Sequence, residues 1–123
     1  MATTRILKLT NTEAIVKVYG AVGSATVDLD VDLKLANETI VGTPEVNIVA
    51  LHATGGYTGL VTVTRNSEQL FAMSTEASSP VELLEIGGAS DSTNNTSDIV
   101  VTTSGAESQL LLKLRKISGY QLT

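Results

Sequence analysis

The stretch that decides the fold is SQLLLKLRKISGY, residues 108–120, near the carboxyl end of the chain. Leu110, Leu112 and Leu114 recur at every second position, and Lys113 and Arg115 occupy positions of the opposite parity. Successive side chains of a β-strand point to opposite faces of the sheet. The alternation therefore predicts a strand with one apolar and one charged face.

The same period of two recurs along most of the chain, with turn signals about every ten residues. Further strands are predicted at 4–9, 13–20, 25–35, 45–53 and 99–103, with a hairpin over 60–74 that turns at Asn66-Ser67 and a turn at Gly42-Thr43-Pro44. For residues 80–86 a strand competes with a two-turn helix, and the β-rich surroundings favour the strand. Residues 87–98 are small and polar and predict an exposed loop. We therefore expect one domain over residues 1–123, an all-β antiparallel β-sandwich or jelly-roll-like barrel of about eight to ten short strands.

The cleanest alternation is SATVDLDVDLKLAN, residues 24–37, which places three aspartates on one face of the predicted strand. These are Asp28, Asp30 and Asp32. Their spacing resembles half of a calcium-binding loop, but an extended strand cannot bring three carboxylates around one ion. A solvated face is favoured, or pairing with Lys113 and Arg115 on a neighbouring strand. A calcium ion shared with another chain is the alternative, and no metal site within the chain is predicted.

Composition excludes several classes of protein. Of 123 residues, 42% are hydrophobic and only 3% are aromatic, so a folded, aliphatic core is expected. The chain has no cysteine, which excludes disulfides and thiolate chemistry. No signal peptide and no apolar run long enough to span a membrane are visible. The chain is expected to be soluble, with no membrane partner.

Charge is distributed unevenly. Residues 1–17 carry a net charge of +2 and residues 113–123 a net charge of +3, whereas residues 18–112 carry −10. An acidic body with basic ends does not suit binding to phosphates, so no nucleic-acid partner is expected. The ends instead suggest an interface. The candidate interface residues are Arg5, Lys8, Lys113, Arg115, Tyr57 and Arg65.

No motif in the chain indicates catalysis or a cofactor. His52, the single histidine, shares strand parity with Val46 and Ile48 and is expected near the core. The glycine-rich TGGYTG, residues 54–59, lacks the lysine and helix of a phosphate-binding loop and is expected to be a turn. Arg65 is expected to pair with Glu68 across the hairpin or to anchor an interface. We therefore predict a non-enzyme with no catalytic, cofactor or metal residues.

Three stretches carry a resemblance to a known class: MATTRILKLTNTEAIVKVYG, HATGGYTGLVTVTRN and LLLKLRKISGY. In overall character the chain resembles small virion structural proteins of tailed bacteriophages, particularly marine and cyanobacterial ones. The resemblance implies a capsid decoration (cement) protein, made in the host cytoplasm and located on the virion, that binds other virion proteins and forms homo-oligomers. A neck or tail component, or a carbohydrate- or receptor-binding β-sandwich, is the alternative.

Overall fold

A computed structural model describes residues 2–20, 22–54, 59–74, 81–82, 95–104 and 108–122. Within them the chain forms nine strands and no helix, so no helix there could cross a membrane. The strands are β1 (Ala2–Leu9), β2 (Glu13–Gly20), β3 (Gly23–Val27), β4 (Glu38–Thr54), β5 (Leu60–Arg65), β6 (Glu68–Ser74), β7 (Val81–Glu82), β8 (Ile99–Thr103) and β9 (Gln109–Leu122).

The strands form two antiparallel sheets. Five strands make one sheet in the order β1-β2-β9-β4-β7, and four make the other in the order β3-β8-β5-β6. The sheets pack face to face through aliphatic side chains, with Val16 and Leu112 from the first and Val61 and Val101 from the second in one buried cluster. The predicted all-β antiparallel sandwich is confirmed.

Strand β9 lies at the centre of the five-stranded sheet, between β2 and β4. Leu110, Leu112 and Leu114 are fully buried, and the residues between them face outward, as their alternation predicts. Because β9 pairs with β2 and β4, Lys113 and Arg115 do not lie beside the aspartates at 28–32. The predicted cross-strand pairing of these charges is therefore wrong.

The prediction of a strand over 25–35 is also wrong beyond Val27, where β3 ends. The chain turns instead, and the backbone N–H of Asp32 donates to the carbonyl of Asp28 over 2.8 Å. The aspartates stabilise this turn: Oδ1 of Asp28 accepts from the N–H groups of Asp30 and Val31. Short acidic side chains compete with a strand ladder by binding nearby backbone amides in this way.

The β4 strand runs through the turn that was predicted at residues 42–44. Its pairing with β9 is interrupted between Ile40 and Glu45, and Gly42 adopts a φ of 70° there. Glycine tolerates this left-handed backbone, so the chain absorbs the irregularity and continues as one long strand.

The structure also describes the predicted hairpin and parts of the segments 80–86 and 87–98. The hairpin over 60–74 is confirmed, and its turn residues Asn66 and Ser67 have φ values of 52° and 63°, typical of a type I′ turn. Of residues 80–86, Val81 and Glu82 form strand β7, and the rest lie outside the described residues. Of the loop predicted at 87–98, residues 95–98 are described, and Asn95 among them is buried.

A side chain at position 119, where the chain has Gly119, should lower the stability of the fold. The φ of Gly119 is 92°, and a Cβ built there would lie 2.5 Å from the backbone Cα of Pro44. We expect Gly119→Ala to lower the free energy of unfolding by about 2 kcal/mol, because it adds backbone strain and a contact that rigid backbone cannot relieve. Urea denaturation measures the change. Gly42→Ala is the control, since its Cβ would meet nothing within 4 Å and only the strain remains. An equal loss of unfolding free energy in both variants would show that the contact with Pro44 does not contribute.

Candidate functional site

The outer face of the five-stranded sheet gathers basic residues from both ends of the chain. Antiparallel pairing sets Arg5 opposite Lys17 in β1 and β2, and it sets Lys113 opposite Ile15 in β9 and β2. The neighbours of Lys17 and Lys113 along β2 and β9 are buried in the core, so these two side chains point away from it, and Arg5 lies on the same side as its partner Lys17. We call this surface the basic face. Its cations are Arg5, Lys8, Lys17, Lys113 and Arg115.

Among the side chains that the structure describes, Glu13 is a carboxylate within the basic face. Nζ of Lys8 donates to Oε1 of Glu13 over 2.6 Å, and Arg115 stands directly opposite Glu13 in the sheet. The hydrogen bond from Lys8, followed by its charge, lowers the pKa of Glu13. Glu13 is therefore ionised at neutral pH, and the face keeps an excess of positive charge.

A shallow apolar hollow opens in the middle of the basic face. It has a volume of about 190 Å³, and its walls include Ile15, Ala50, His52, Leu111 and the stem of Lys113. Leu111 is 40% exposed there and contributes apolar surface between the cations. We call this hollow the apolar dent. Cations border it, since Lys17 lies opposite Leu111 in the sheet.

His52 lines this dent and does not lie near the core, so its predicted position is wrong. The register of β4 against β9 shifts between Ile48 and Ala50, where Val49 is an extra residue. A bulge of one residue moves every later side chain to the opposite face. Leu51 and Ala53 are consequently buried, and His52 is half-buried on the outer surface.

Arg65 lies inside the sandwich, where it is 1% exposed. Its Nη1 donates to the carbonyl of Val46 over 2.7 Å, and its Nη2 donates to the carbonyls of Asn95 and Ser97. The guanidinium thus ties the end of β5 to the edge of β4 and to the segment before β8. Burial lowers the pKa of Arg65 to about 10, with the charge of Asp98 opposing the effect, so Arg65 stays protonated at neutral pH.

The structure brings together four of the six candidate interface residues. Arg5, Lys8, Lys113 and Arg115 share the basic face, whereas Arg65 is buried and bound to carbonyl groups of its own chain. Tyr57 lies outside the described residues. Lys17 completes the face, and its position on the polar parity of EAIVKVYG is the signal that could have identified it.

A second ionic feature, buried between the sheets, was also missed from the sequence. Nζ of Lys116 donates to Oε1 of Glu38 over 2.6 Å and to the carbonyl of Thr10 over 3.0 Å. The same nitrogen lies 4.3 Å from the centre of the Tyr120 ring, and the Tyr120 hydroxyl donates to the carbonyl of Leu29. The signal in the sequence is that Lys116 continues the apolar parity of the leucines before it.

The acidic side chains that the structure describes do not gather into a metal site. Among the residues described, no group of three or more histidine, cysteine, aspartate or glutamate side chains could hold a metal ion. Of the three aspartates, Asp28 and Asp32 accept hydrogen bonds from backbone amides of their own turn. The prediction of a solvated strand face is therefore wrong for Asp28 and Asp32, because they belong to a hydrogen-bonded turn and not to a strand.

Comparison with known proteins gives structural likeness only. No protein-family model and no curated protein matches the chain. Among solved structures, the cupin domain of Schizosaccharomyces pombe Cnp3 is similar, with 14% identity and a TM-score of 0.42; the match covers 95% of this chain and 65% of that one, just under two thirds. KdgF from Halomonas sp. has 9% identity and a TM-score of 0.43, with 95% and 80% covered. A cupin domain from Bordetella pertussis has 5% identity and a TM-score of 0.41, with 95% and 94% covered.

These comparisons overturn the resemblance to virion proteins of tailed bacteriophages. The similar solved structures are cupin-domain proteins, not virion proteins. The predicted capsid decoration role, the neck or tail alternative and the location on a virion are therefore wrong. Strand periodicity and polar loops are shared by unrelated β-sandwiches, so a likeness in such features reports architecture and not function.

Proposed function

We propose that this chain is a non-enzymatic assembly domain that forms homo-oligomers through the basic face. The observation that carries the proposal is the apolar dent at the centre of that face, bordered by Lys17 and Lys113. A patch that buries apolar area inside a charged rim has the anatomy of a protein interface. The rest of the chain is acidic, so copies of the same chain supply charges that complement the face.

The lining of the dent favours binding over catalysis. A covalent hydrolytic site needs a nucleophile within hydrogen-bond reach of a base. Of the described residues, those that line the dent have aliphatic side chains except for His52 and Lys113, and none of them carries a hydroxyl or a carboxylate. At about 190 Å³ the dent is also smaller than the pockets of about 300–1,000 Å³ that enclose small molecules. It suits a single side chain of a protein partner.

Light scattering after size exclusion tests the proposal. We expect the wild-type chain of 12.8 kDa to form a defined oligomer at low salt and to dissociate as salt rises, because salt screens exposed charges. Lys17→Gln with Lys113→Gln should shift the protein to monomer at the same concentration, with an unchanged circular dichroism spectrum. A wild-type chain that is monomeric at all concentrations would refute the proposal.

A control variant separates the location of the charges from the net charge. Gln69→Glu with Ala72→Glu changes the net charge by the same two units, but both positions are exposed on β6 in the other sheet. This variant should keep the wild-type mass. Equal dissociation of both variants would show that total charge, and not the basic face, governs assembly.

A further inference from the structure

The charge of the basic face restricts how two copies can meet, if the proposed assembly through this face holds. In a twofold-symmetric contact the same patch faces itself. Such a contact would set Arg5, Lys17 and Lys113 of one copy against the same cations of the other. Like charges that face each other are destabilising. The partner surface on the second copy must therefore be a different and acidic one.

A turn over residues 28–33, the acidic turn, supplies such a surface in rigid form. Leu29 and Leu33 are buried at 1% and 0% exposure and anchor it to the core. Oδ2 of Asp32 accepts from the N–H of Asp28, and Oδ1 of Asp98 accepts from the N–H of Leu29. A surface that is already ordered loses little conformational entropy when it binds.

The tip of the acidic turn carries an apolar side chain between two carboxylates. Val31 is 71% exposed, the largest exposure among the exposed large hydrophobic residues that the structure describes, and its neighbours are Asp30 and Asp32. The tip thus has the complementary pattern to the dent, which is an apolar centre between cations. Complementary charge around a buried apolar contact specifies orientation as well as partner.

We propose that the acidic turn of one copy docks on the basic face of the next, with Val31 inserted in the apolar dent against Ile15 and Leu111. Asp30 and Asp32 then lie near Lys17 and Lys113 of the neighbouring copy. The contact is head-to-tail, because each copy binds one neighbour through its acidic turn and another through its basic face. Repetition of such a contact closes into a ring or extends as a filament.

Complementation between two defective variants tests this arrangement. Val31→Ser removes the inserted side chain and leaves the dent intact, whereas Leu111→Glu blocks the dent and leaves Val31 intact. Both positions are exposed, so both variants should fold, which circular dichroism checks. Each variant alone should be monomeric, with the dissociation constant raised about tenfold or more. An equimolar mixture should form a dimer of one copy of each, capped at both ends.

The outcomes separate this inference from the proposed function. Val41→Ser, at another exposed valine, should assemble like the wild type. If Leu111→Glu is monomeric but Val31→Ser assembles normally, the docking of Val31 is wrong and assembly through the basic face stands. If neither variant changes assembly, or their mixture stays monomeric, the head-to-tail contact is refuted. Lys113→Glu replaces Leu111→Glu if the latter does not fold.

Discussion

Lys116→Met is expected to lower the free energy of unfolding by about 3–5 kcal/mol, because it leaves the carboxylate of Glu38 buried without its cation. The side chains of the pair are 1% and 0% exposed, and the nitrogen and oxygen are 2.6 Å apart. Within the described residues, Oε2 of Glu38 already has no hydrogen-bond partner. Without Lys116, the N–H of Leu35 would be the remaining donor to Oε1. Urea denaturation at pH 7 measures the loss.

The double variant Glu38→Leu with Lys116→Met is the matched control. Removing both charges avoids an uncompensated ion, although the N–H of Leu35 and the carbonyl of Thr10 lose a partner each. We expect the double variant to lose about 1–3 kcal/mol, less than either single variant. A double variant that is no more stable than Lys116→Met would contradict a charge-based explanation.

The ion pair should also make stability depend on pH. Burial by itself raises the pKa of Glu38, but hydrogen bonds from Lys116 and Leu35 and the charge of Lys116 outweigh it, so the pKa lies below its ordinary value of 4.5. The folded state then binds fewer protons than the unfolded state just below pH 4.5, and stability falls as the pH falls through this range. The acid loss should be smaller in the double variant. If the wild type and the double variant lose equal stability as the pH falls below 4.5, this ion pair is ruled out as the cause.

Arg65→Met is expected to lower the free energy of unfolding by about 3 kcal/mol, because buried carbonyl groups lose charge-assisted donors. The guanidinium makes four hydrogen bonds of 2.7–3.0 Å to Val46, Asn95 and Ser97. The planar fork serves three acceptors at once, so Arg65→Lys should recover only part of the loss. Urea denaturation at pH 7 provides the measurement.

Arg115→Met provides the control for Arg65→Met when both are measured on the monomer at high salt, since the same substitution is made at an exposed position of the basic face. Its effect should stay within about 0.5 kcal/mol. Hydrogen exchange adds a local readout, because the N–H of Val46 donates to the carbonyl of Asn95 beside Arg65. This amide should exchange faster in Arg65→Met. Unchanged stability and exchange would show that Arg65 is not the tie between β4, β5 and the segment before β8.

Local patterns were enough to predict several elements of the fold. The period of two in residues 13–20 and 99–103 matches β2 and β8 residue for residue, and Asn66-Ser67 marked the hairpin. These predictions hold because strand alternation and turn residues act over a few neighbouring positions. The same local signal failed at 28–33. There the aspartates bind nearby amides and Leu29 and Leu33 pack into the core, which no count of alternating residues can reveal.

The candidate site depended on information of longer range. The net charges of the two ends were visible in the sequence, but only the order β1-β2-β9 shows that both ends contribute to one face. His52 changed face because of one extra residue at Val49, and a bulge leaves no clear mark in the sequence. The burial of Arg65 with its carbonyl partners likewise required segments 19 to 32 residues away.

The sequence by itself determined the class of fold, since alternating aliphatic side chains can be buried only when strands form sheets that pack on one another. It also determined that charge separates between the ends and the body of the chain. Only the tertiary structure decided which charges are exposed and which are buried. That outcome depends on strand register, because a single bulge moves the side chains after it to the opposite face. It also depends on contacts between residues far apart in the chain, because a buried carbonyl group needs a donor from elsewhere.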